Sequence, residues 1–218
     1  MKPNLAPGPQ SSLLEAVRRL EALGLNRGST GNVSLRSGAG LLITPTGASA
    51  DTLAAEDMVF VALDGAISGR WQPSSEWPFH RAVYALRADV MAVVHTHSTY
   101  ATALACLERA LPAFHYMVAV AGGDSVPCVP YHTYGSQALS EAVAAGLTDR
   151  NACLLAHHGL VACGESLAHA MKIAIEIEAL CQAYLVALAV GEPPRLSGEE
   201  MARVLDKFKT YGKTALRG

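Results

Sequence analysis

Apolar residues recur at helical spacing in six stretches of the chain, and each stretch predicts a helix. The first stretch runs to about Gly24, and Ser12 and Glu15 stand at capping-box spacing, which predicts that the helix starts there. The other predicted helices span residues 75–88, 98–109, 136–147, 167–190 and 198–208.

Short apolar runs between these helices predict strands. They cover residues 33–36, 41–44, 58–63, 90–95, 152–156 and 160–163. Asp64-Gly65 follows the third run and is typical of a tight hairpin. Hairpins join the early strands and helices join most of the later ones, so the pattern predicts an α/β fold in which helices cover a mixed sheet. We expect a single domain over residues 1–218, since no linker or change of composition divides the chain.

The number and balance of charged residues bear on the expected oligomeric state and binding partners. Only 17% of the 218 residues are charged, against about 25% in an average soluble protein, and this low content favours an oligomer. Seventeen Lys and Arg against nineteen Asp and Glu leave a net charge of −2. Such a balance gives no strong field for nucleic acid or for an anionic membrane surface, so we expect neither as a partner.

Three features predict a cytoplasmic protein. The apolar-rich run at 90–107 contains too many polar residues for a membrane span. The start, MKPNLAPGPQSS, lacks the apolar segment of a secretory signal. Five cysteines without a CxxC motif indicate reduced thiols rather than disulfides or a thiolate metal site.

Histidines interrupt two of the apolar runs. In VVHTHS, His95 and His97 are two positions apart, so on a strand they point to the same face and both reach one metal ion. A second pair, His157 and His158, follows a buried strand and precedes Gly159, which suits a tight turn. Three imidazoles at one open site are typical of a catalytic divalent metal. Hydrogen-bonded structural histidines remain the alternative interpretation.

The stretch QPSSEWPFH places two hydroxyls and a carboxylate at a helix start. One interpretation is simple capping, with Ser75 as the N-cap and Pro78 in the first turn. The other is a phosphate site beside Glu76 acting as a general base. The polar stretches RGSTGNVSLR and LITPTGAS can also turn backbone N–H groups and hydroxyls towards an anion. Neither is a nucleotide-binding fingerprint.

Eight short motifs, in order, cover nearly the whole chain after the first dozen residues. They are GNVS (31–34), ITPTG (43–47), SSEW (74–77), VVHTH (93–97), HYM (115–117), AGG (121–123), HHGL (157–160) and KFKTYG (207–212). This ordered set resembles the class II aldolase/adducin family. The resemblance implies a three-layer α/β/α fold with a mainly antiparallel sheet, assembled as a homotetramer with active sites at subunit interfaces.

The resemblance also implies roles for individual residues. His95, His97 and His158 match the zinc ligands, and His157 matches a neighbour that does not bind the metal. Glu76 matches the catalytic carboxylate, which also binds the metal in the resting enzyme. The residues that match the phosphate pocket are Asn32, Thr46, Gly47, Ser74 and Ser75.

Three tyrosines complete the implied site. Tyr116 matches a catalytic residue that reaches the neighbouring subunit's site, and Tyr211 matches one in a mobile C-terminal tail at 209–218. Tyr134 stands where a family aldolase carries Phe, and its added hydroxyl puts the identity of the aldehyde in question.

The implied activity is zinc-dependent, reversible cleavage of a ketose 1-phosphate such as L-fuculose 1-phosphate. Its products are dihydroxyacetone phosphate and a small aldehyde such as L-lactaldehyde, and Mn²⁺ or Co²⁺ are alternative metals. Aldolases for 5-deoxyribulose or methylthioribulose 1-phosphate, and methylthioribulose-1-phosphate dehydratase, remain alternatives within the family. A non-catalytic adducin-like interaction module is disfavoured because every element of the site is present. Family epimerases carry Asp at the position of Glu76, which disfavours that activity.

Overall fold

The computed structural model describes residues 8–209, and an eight-stranded sheet runs through its middle. The strands are β1 (Asn32–Ser37), β2 (Gly40–Ile43), β3 (Val59–Ala62), β4 (Ile67–Ser68), β5 (Ala92–Thr96), β6 (Cys128–Val129), β7 (Ala152–Leu155) and β8 (Gly159–Gly164). Their order is β4-β3-β2-β1-β5-β8-β7-β6. The pair β6–β7 is parallel and the other adjacent pairs are antiparallel. The predicted mixed, mainly antiparallel sheet is confirmed.

Helices cover both faces of the sheet, which gives the expected three layers. They are α1 (Pro9–Ala22), α2 (Trp77–Leu86), α3 (Thr99–Cys106), α4 (Gln137–Gly146), α5 (Leu167–Leu188) and α6 (Gly198–Phe208), with 3-10 helices at Ala55–Asp57 and Tyr116–Ala121. A hydrophobic core lies on each face of the sheet, and successive side chains of β5 point to opposite faces. Ala92 and Val94 pack in the core beneath α1, α3 and α5, while Val93 packs in the core beneath α2 and α4. No helix within residues 8–209 is long and apolar enough to cross a membrane.

Two predictions made from local sequence signals, a hairpin and a helix start, had different outcomes. The hairpin at Asp64-Gly65 is confirmed, since Val61 on β3 pairs with Ile67 on β4. The predicted start of the first helix at Ser12 is wrong. Helix α1 begins three residues earlier at Pro9, and the Ser12 N–H donates to the Gly8 carbonyl at 3.0 Å. Proline suits the first helical position because its φ angle is already helical and its missing N–H is not needed there.

The register of the central strands brings three chain segments to one edge of the sheet. Asn32 on β1 lies opposite His95 on β5, and Thr96 at the end of β5 lies opposite Leu160 on β8. A Cβ atom at Gly159 would overlap the Thr96 carbonyl oxygen, so only glycine allows β8 to approach β5 this closely. The short connection between β7 and β8 therefore folds over the end of β5.

The extent of the domain and its tail remain partly predictions. The single sheet organises residues 8–209, whereas the expectation of one domain covers the whole chain. Of the predicted tail at 209–218, only Lys209 is described, as the residue after α6. Tyr211 lies outside the described residues.

Candidate metal centre and its cavity

Four side chains converge where the three segments meet. Glu76 precedes α2, His95 lies on β5 with His97 just beyond its end, and His158 lies in the connection between β7 and β8. One ligand atom from each lies within 4.8 Å of the others. We call these four residues the histidine–glutamate cluster. The two histidine motifs and the carboxylate singled out in the sequence thus lie together.

The ligand atoms of the cluster crowd one small volume. His95 Nε2 lies 2.9 Å from His97 Nε2 and 3.2 Å from Glu76 Oε2, while His158 Nε2 lies 3.1 Å from Glu76 Oε1. Glu76 Oε1 is nonetheless buried without a well-aligned hydrogen bond. A buried carboxylate oxygen left in this state beside three imidazoles fits a divalent cation, because this nitrogen and oxygen set is one that zinc prefers.

Contacts outside the cluster support two of its histidines, His95 and His97. The Nδ1–H of His95 donates to the Leu160 carbonyl at 3.0 Å, which leaves the Nε2 lone pair directed into the cluster. The backbone N–H of His97 donates to Asn26 Oδ1 at 3.1 Å. A Cβ at Gly31 would overlap the Asn26 side chain, so the glycine at this position makes room for that support. His95 and His97 are therefore held in place by contacts within the protein.

Burial and charge favour the protonation states that bind a metal. Burial raises the pKa of Glu76, but the imidazoles of His95 and His158 lower it more, and the net result is a pKa far below the usual range. Burial, followed by the neighbouring imidazoles, lowers the pKa of His97 to about 4. At neutral pH the carboxylate is therefore ionised and the His97 imidazole neutral, as metal coordination requires.

A cavity of about 350 Å³ opens beside the cluster. Its wall contains Glu76, His97 and His158 together with all six residues assigned from the sequence to substrate or phosphate: Asn32, Thr46, Gly47, Ser74, Ser75 and Tyr134. Ser29 and Thr30, from the polar stretch RGSTGNVSLR, also line it. Tyr131 and His132 line it too and were missed in the sequence, where the polar composition of YHTYG was the available signal.

The two serines before α2 differ in their surroundings. The capping interpretation of Ser75 is wrong, because Glu76 is the N-cap residue and has no side-chain capping bond. Ser74 is buried and its Oγ accepts from the Glu76 N–H at 3.4 Å. Ser75 is exposed on the cavity wall, where the backbone of Gly135 packs against its carbonyl oxygen. The hydroxyl of Ser75 is accessible to a ligand.

Asn32 is engaged inside the protein as well as lining the cavity. Its Nδ2 donates to Glu76 Oε2 at 2.9 Å, and its Oδ1 lies 2.5 Å from Nε2 of the buried His80. Sequence reasoning missed His80, which appears in the chain only as an isolated histidine within a helix. The assignment of Asn32 to phosphate binding stays a prediction, and one of its two Nδ2 hydrogens remains for such a ligand.

Other predicted residues lie apart from the cluster. His157 has a left-handed backbone, with φ of 56°, and its Nε2 points to Glu108 Oε1 at 2.9 Å. Tyr116 is half exposed at the start of its 3-10 helix, and it lines a separate hollow with Phe114, Leu196 and Phe208. Within one chain, therefore, the structure does not bring Tyr116 to the cavity.

Comparisons with known proteins agree with this architecture. The chain is 50% identical over 203 residues to the 5-methylthioribulose-1-phosphate/5-deoxyribulose-1-phosphate aldolase of Rhodospirillum rubrum, covering 93% of this chain and 92% of that one. It is 49% identical over 201 residues to the L-fuculose phosphate aldolase of Escherichia coli strain K12, covering 92% and 94%. A solved structure of an L-fuculose 1-phosphate aldolase superposes with a TM-score of 0.90 at 37% identity, covering 94% of this chain and 97% of that one.

A family model gives the assignment directly. The model of the class II aldolase and adducin N-terminal domain matches residues 11–185, a segment that includes the whole histidine–glutamate cluster and the cavity residues around it. The resemblance drawn from eight short motifs is confirmed by this match over most of the chain. The chain belongs to the class II aldolase and adducin N-terminal domain family.

Proposed function

We propose that this protein is a metal-dependent aldolase that cleaves a ketose 1-phosphate, with L-fuculose 1-phosphate as its substrate. The products are dihydroxyacetone phosphate and L-lactaldehyde. One observation carries the proposal: three members of the histidine–glutamate cluster, Glu76, His97 and His158, lie on one wall of a cavity whose other walls offer hydroxyl, amide and phenol groups. That combination suits a substrate with a carbonyl to be polarised and a phosphate to be held.

Zinc is the metal that the donor set supports best. His95, His97 and His158 would hold it, with Glu76 as a further ligand in the resting state. Three imidazoles and one carboxylate also accept Mn²⁺ or Co²⁺, which are the alternatives. A cation bound there supplies Lewis-acid stabilisation of the negative charge that develops on the substrate oxygens.

The phosphate would bind on the wall formed by the loops before α2 and after β2. Thr46, Gly47, Ser74 and Ser75 lie there beside Asn32. The exposed hydroxyl of Ser75, close to the amino end of α2, supports this assignment, because helix amino ends favour anions. These donors carry no charge, so they would hold the phosphate by directed hydrogen bonds and not by ion pairs.

Cleavage moves two protons, and this family site offers a group for each. As the C3–C4 bond breaks, the C4 hydroxyl loses its proton and C3 gains one. The C4 proton would leave by way of the Tyr116 hydroxyl of a neighbouring subunit, which would accept it while passing its own hydrogen on. The ionised Glu76 carboxylate, on the cavity wall within the cluster, would take up a proton and then deliver it to C3. Tyr211 is the second tyrosine that the family resemblance assigns to this chemistry.

The outer part of the cavity selects the aldehyde. L-Lactaldehyde carries a hydroxyl group, whereas the aldehydes from 5-deoxyribulose and methylthioribulose 1-phosphates do not. The exposed phenol of Tyr134 supports a substrate with a hydroxyl to bind. The 50% identity to an aldolase for the two 5-modified sugars makes that activity the second candidate. The dehydratase differs because it releases no dihydroxyacetone phosphate.

We also propose a homotetramer with its active sites at subunit interfaces. The support is the position of Tyr116, which is half exposed and lies outside its own chain's cavity, beside the largely apolar hollow containing Phe114 and Leu196. A cytoplasmic location is supported by the five unpaired cysteines, a pattern typical of a reducing compartment.

The proposed function is tested by measuring release of dihydroxyacetone phosphate through coupled NADH oxidation. The substrates are L-fuculose, 5-deoxyribulose and methylthioribulose 1-phosphates, each with and without a chelator. We expect chelator-sensitive release, with the highest kcat/KM for L-fuculose 1-phosphate. A higher value for either other sugar would select the second candidate. No release from any of the three by zinc-loaded protein would contradict the aldolase proposal.

The metal ligands are tested by a matched pair of neighbouring substitutions. His158→Asn should lose bound zinc, because asparagine is too short to reach the cluster. His157→Asn should retain it, since His157 points away and asparagine tolerates the left-handed backbone at that position. Metal content is measured after dialysis by elemental analysis. Equal zinc in the two variants would refute the assignment of His158.

The role of Glu76 is tested by Glu76→Gln. Three imidazoles remain, so zinc content should stay near that of the wild type. The proton at C3 would lack its carrier, and kcat should fall by roughly 10²–10⁴-fold, the usual contribution of general acid–base catalysis. Steady-state kinetics on zinc-loaded protein measure this change. Near-normal turnover would remove Glu76 from the proposed chemistry.

The shared site is tested by mixing two inactive variants. Glu76→Gln and Tyr116→Phe are denatured together and refolded, so that subunits combine at random. If Tyr116 acts in the neighbouring site, roughly a quarter of the sites in mixed oligomers regain both groups. Activity of the mixture should then exceed that of either variant refolded alone. An additive result would mean that Tyr116 does not act across an interface.

A further inference from the structure

A line of buried polar side chains leads from Glu76 into the protein, away from the cavity. Asn32 contacts Glu76, His80 contacts Asn32, and Ser34 Oγ lies 2.7 Å from His80 Nδ1. At the far end, Ser34 Oγ lies 2.8 Å from the hydroxyl of Tyr84. These five residues are all buried, and His80 and Ser34 have no exposed surface.

The side chains of this line come from helix α2, with its N-cap residue, and from strand β1. Glu76, His80 and Tyr84 follow one another at intervals of four along the start and face of α2. Asn32 and Ser34 are two apart on β1, so both point to the face of the sheet that α2 covers. Residues four apart on α2 and two apart on β1 advance by similar distances, so the polar side chains of the helix and of the strand meet in one hydrogen-bond network.

Chemistry fixes the direction of every hydrogen bond in the line. The ionised Glu76 only accepts, so Asn32 presents Nδ2–H to it and Oδ1 to His80. That oxygen requires a hydrogen on His80 Nε2, which leaves Nδ1 as an acceptor for the Ser34 hydroxyl. The Ser34 oxygen then accepts from Tyr84.

The surroundings keep these protonation states stable near neutral pH. Burial, and after it the nearby His95 imidazole, lowers the pKa of His80 to about 3, so its ring stays neutral. Burial raises the pKa of the Tyr84 phenol above its usual value, so that group keeps its proton. Aligned hydrogen bonds of this kind polarise one another and hold their members in one arrangement.

We infer that His80 is a positioning residue that holds Asn32 in the orientation in which Nδ2, and not Oδ1, faces the Glu76 carboxylate. Without the His80 N–H, only the contact with Glu76 favours this orientation, and the Asn32 amide, no longer held at its oxygen, is free to rotate away from the carboxylate. Glu76 would then lose the only donor from a side chain outside the cluster that contacts it within residues 8–209. This inference rests on the proposed function only where it concerns turnover.

Three variants test the inference. His80→Phe keeps a ring of similar size but removes the donor. His80→Gln keeps an N–H near the position of Nε2. Tyr84→Phe is the control, because it removes the hydroxyl at the far end and leaves His80 and Asn32 in contact.

We expect His80→Phe to weaken Zn²⁺ affinity by about 10–100-fold, the usual effect of losing an outer partner of a metal ligand. Affinity is measured by competition with a chromophoric chelator. On the active substrate kcat should fall over the same range while KM changes little. His80→Gln should recover most of both losses, and Tyr84→Phe should resemble the wild type. Equal losses in His80→Phe and Tyr84→Phe, or no recovery in His80→Gln, would mean a general packing effect and overturn the inference.

A measurement on the wild type applies even where a variant fails to fold. The ¹⁵N shifts of the ring nitrogens of His80 report which one carries the hydrogen. We expect a neutral ring with hydrogen on Nε2, and hydrogen on Nδ1 would overturn the inference. The shifts and the Zn²⁺ affinities need no substrate. Absence of cleavage would therefore contradict the proposed function alone.

Discussion

The close approach of β8 to β5 at Gly159 is the constraint on which the site depends. The backbone of Gly159 lies directly against the Thr96 carbonyl, where a side chain would not fit. Because of this contact, the connection that carries His158 folds over the end of the strand that carries His95. A wider separation would preserve most of the sheet and its two cores, yet it would move one imidazole away from the other two. The geometry of the cluster is therefore set by backbone packing and not by the histidines themselves.

Features encoded in short stretches of sequence were predictable. The spacing of His95 and His97, the Asp64-Gly65 hairpin, and the order of the helices and of six of the eight strands all follow from local periodicity or turn chemistry. The residue at which a helix starts is less certain from sequence, because several neighbouring residues can serve as the N-cap. Ser12 and Ser75 both have capping character, but Pro9 starts the first helix and Glu76 occupies the cap of the second.

Features that depend on distant partners were not predictable. The strand β6 has only two residues, and its pairing with β7 exists because α4 returns the chain to the sheet. The role of His80 required knowing that β1 places Asn32 and Ser34 opposite it, more than forty positions away in the chain. The sequence presents His80 as an isolated polar residue in an amphipathic helix. Only the packing of α2 on the sheet gives that residue two hydrogen-bond partners.

The cavity combines two regions with different exposure, and this bears on how the protein can change over evolutionary time. Glu76 and His95 are buried among partners, so substitutions there disturb folding as well as chemistry. Tyr131 and Tyr134 are more than half exposed at the outer part of the cavity. Exposed substitutions usually alter stability by only about 0.5 kcal/mol in either direction. Mutations can therefore reshape the outer wall in small steps that folding does not oppose, whereas folding opposes most changes to the buried inner wall.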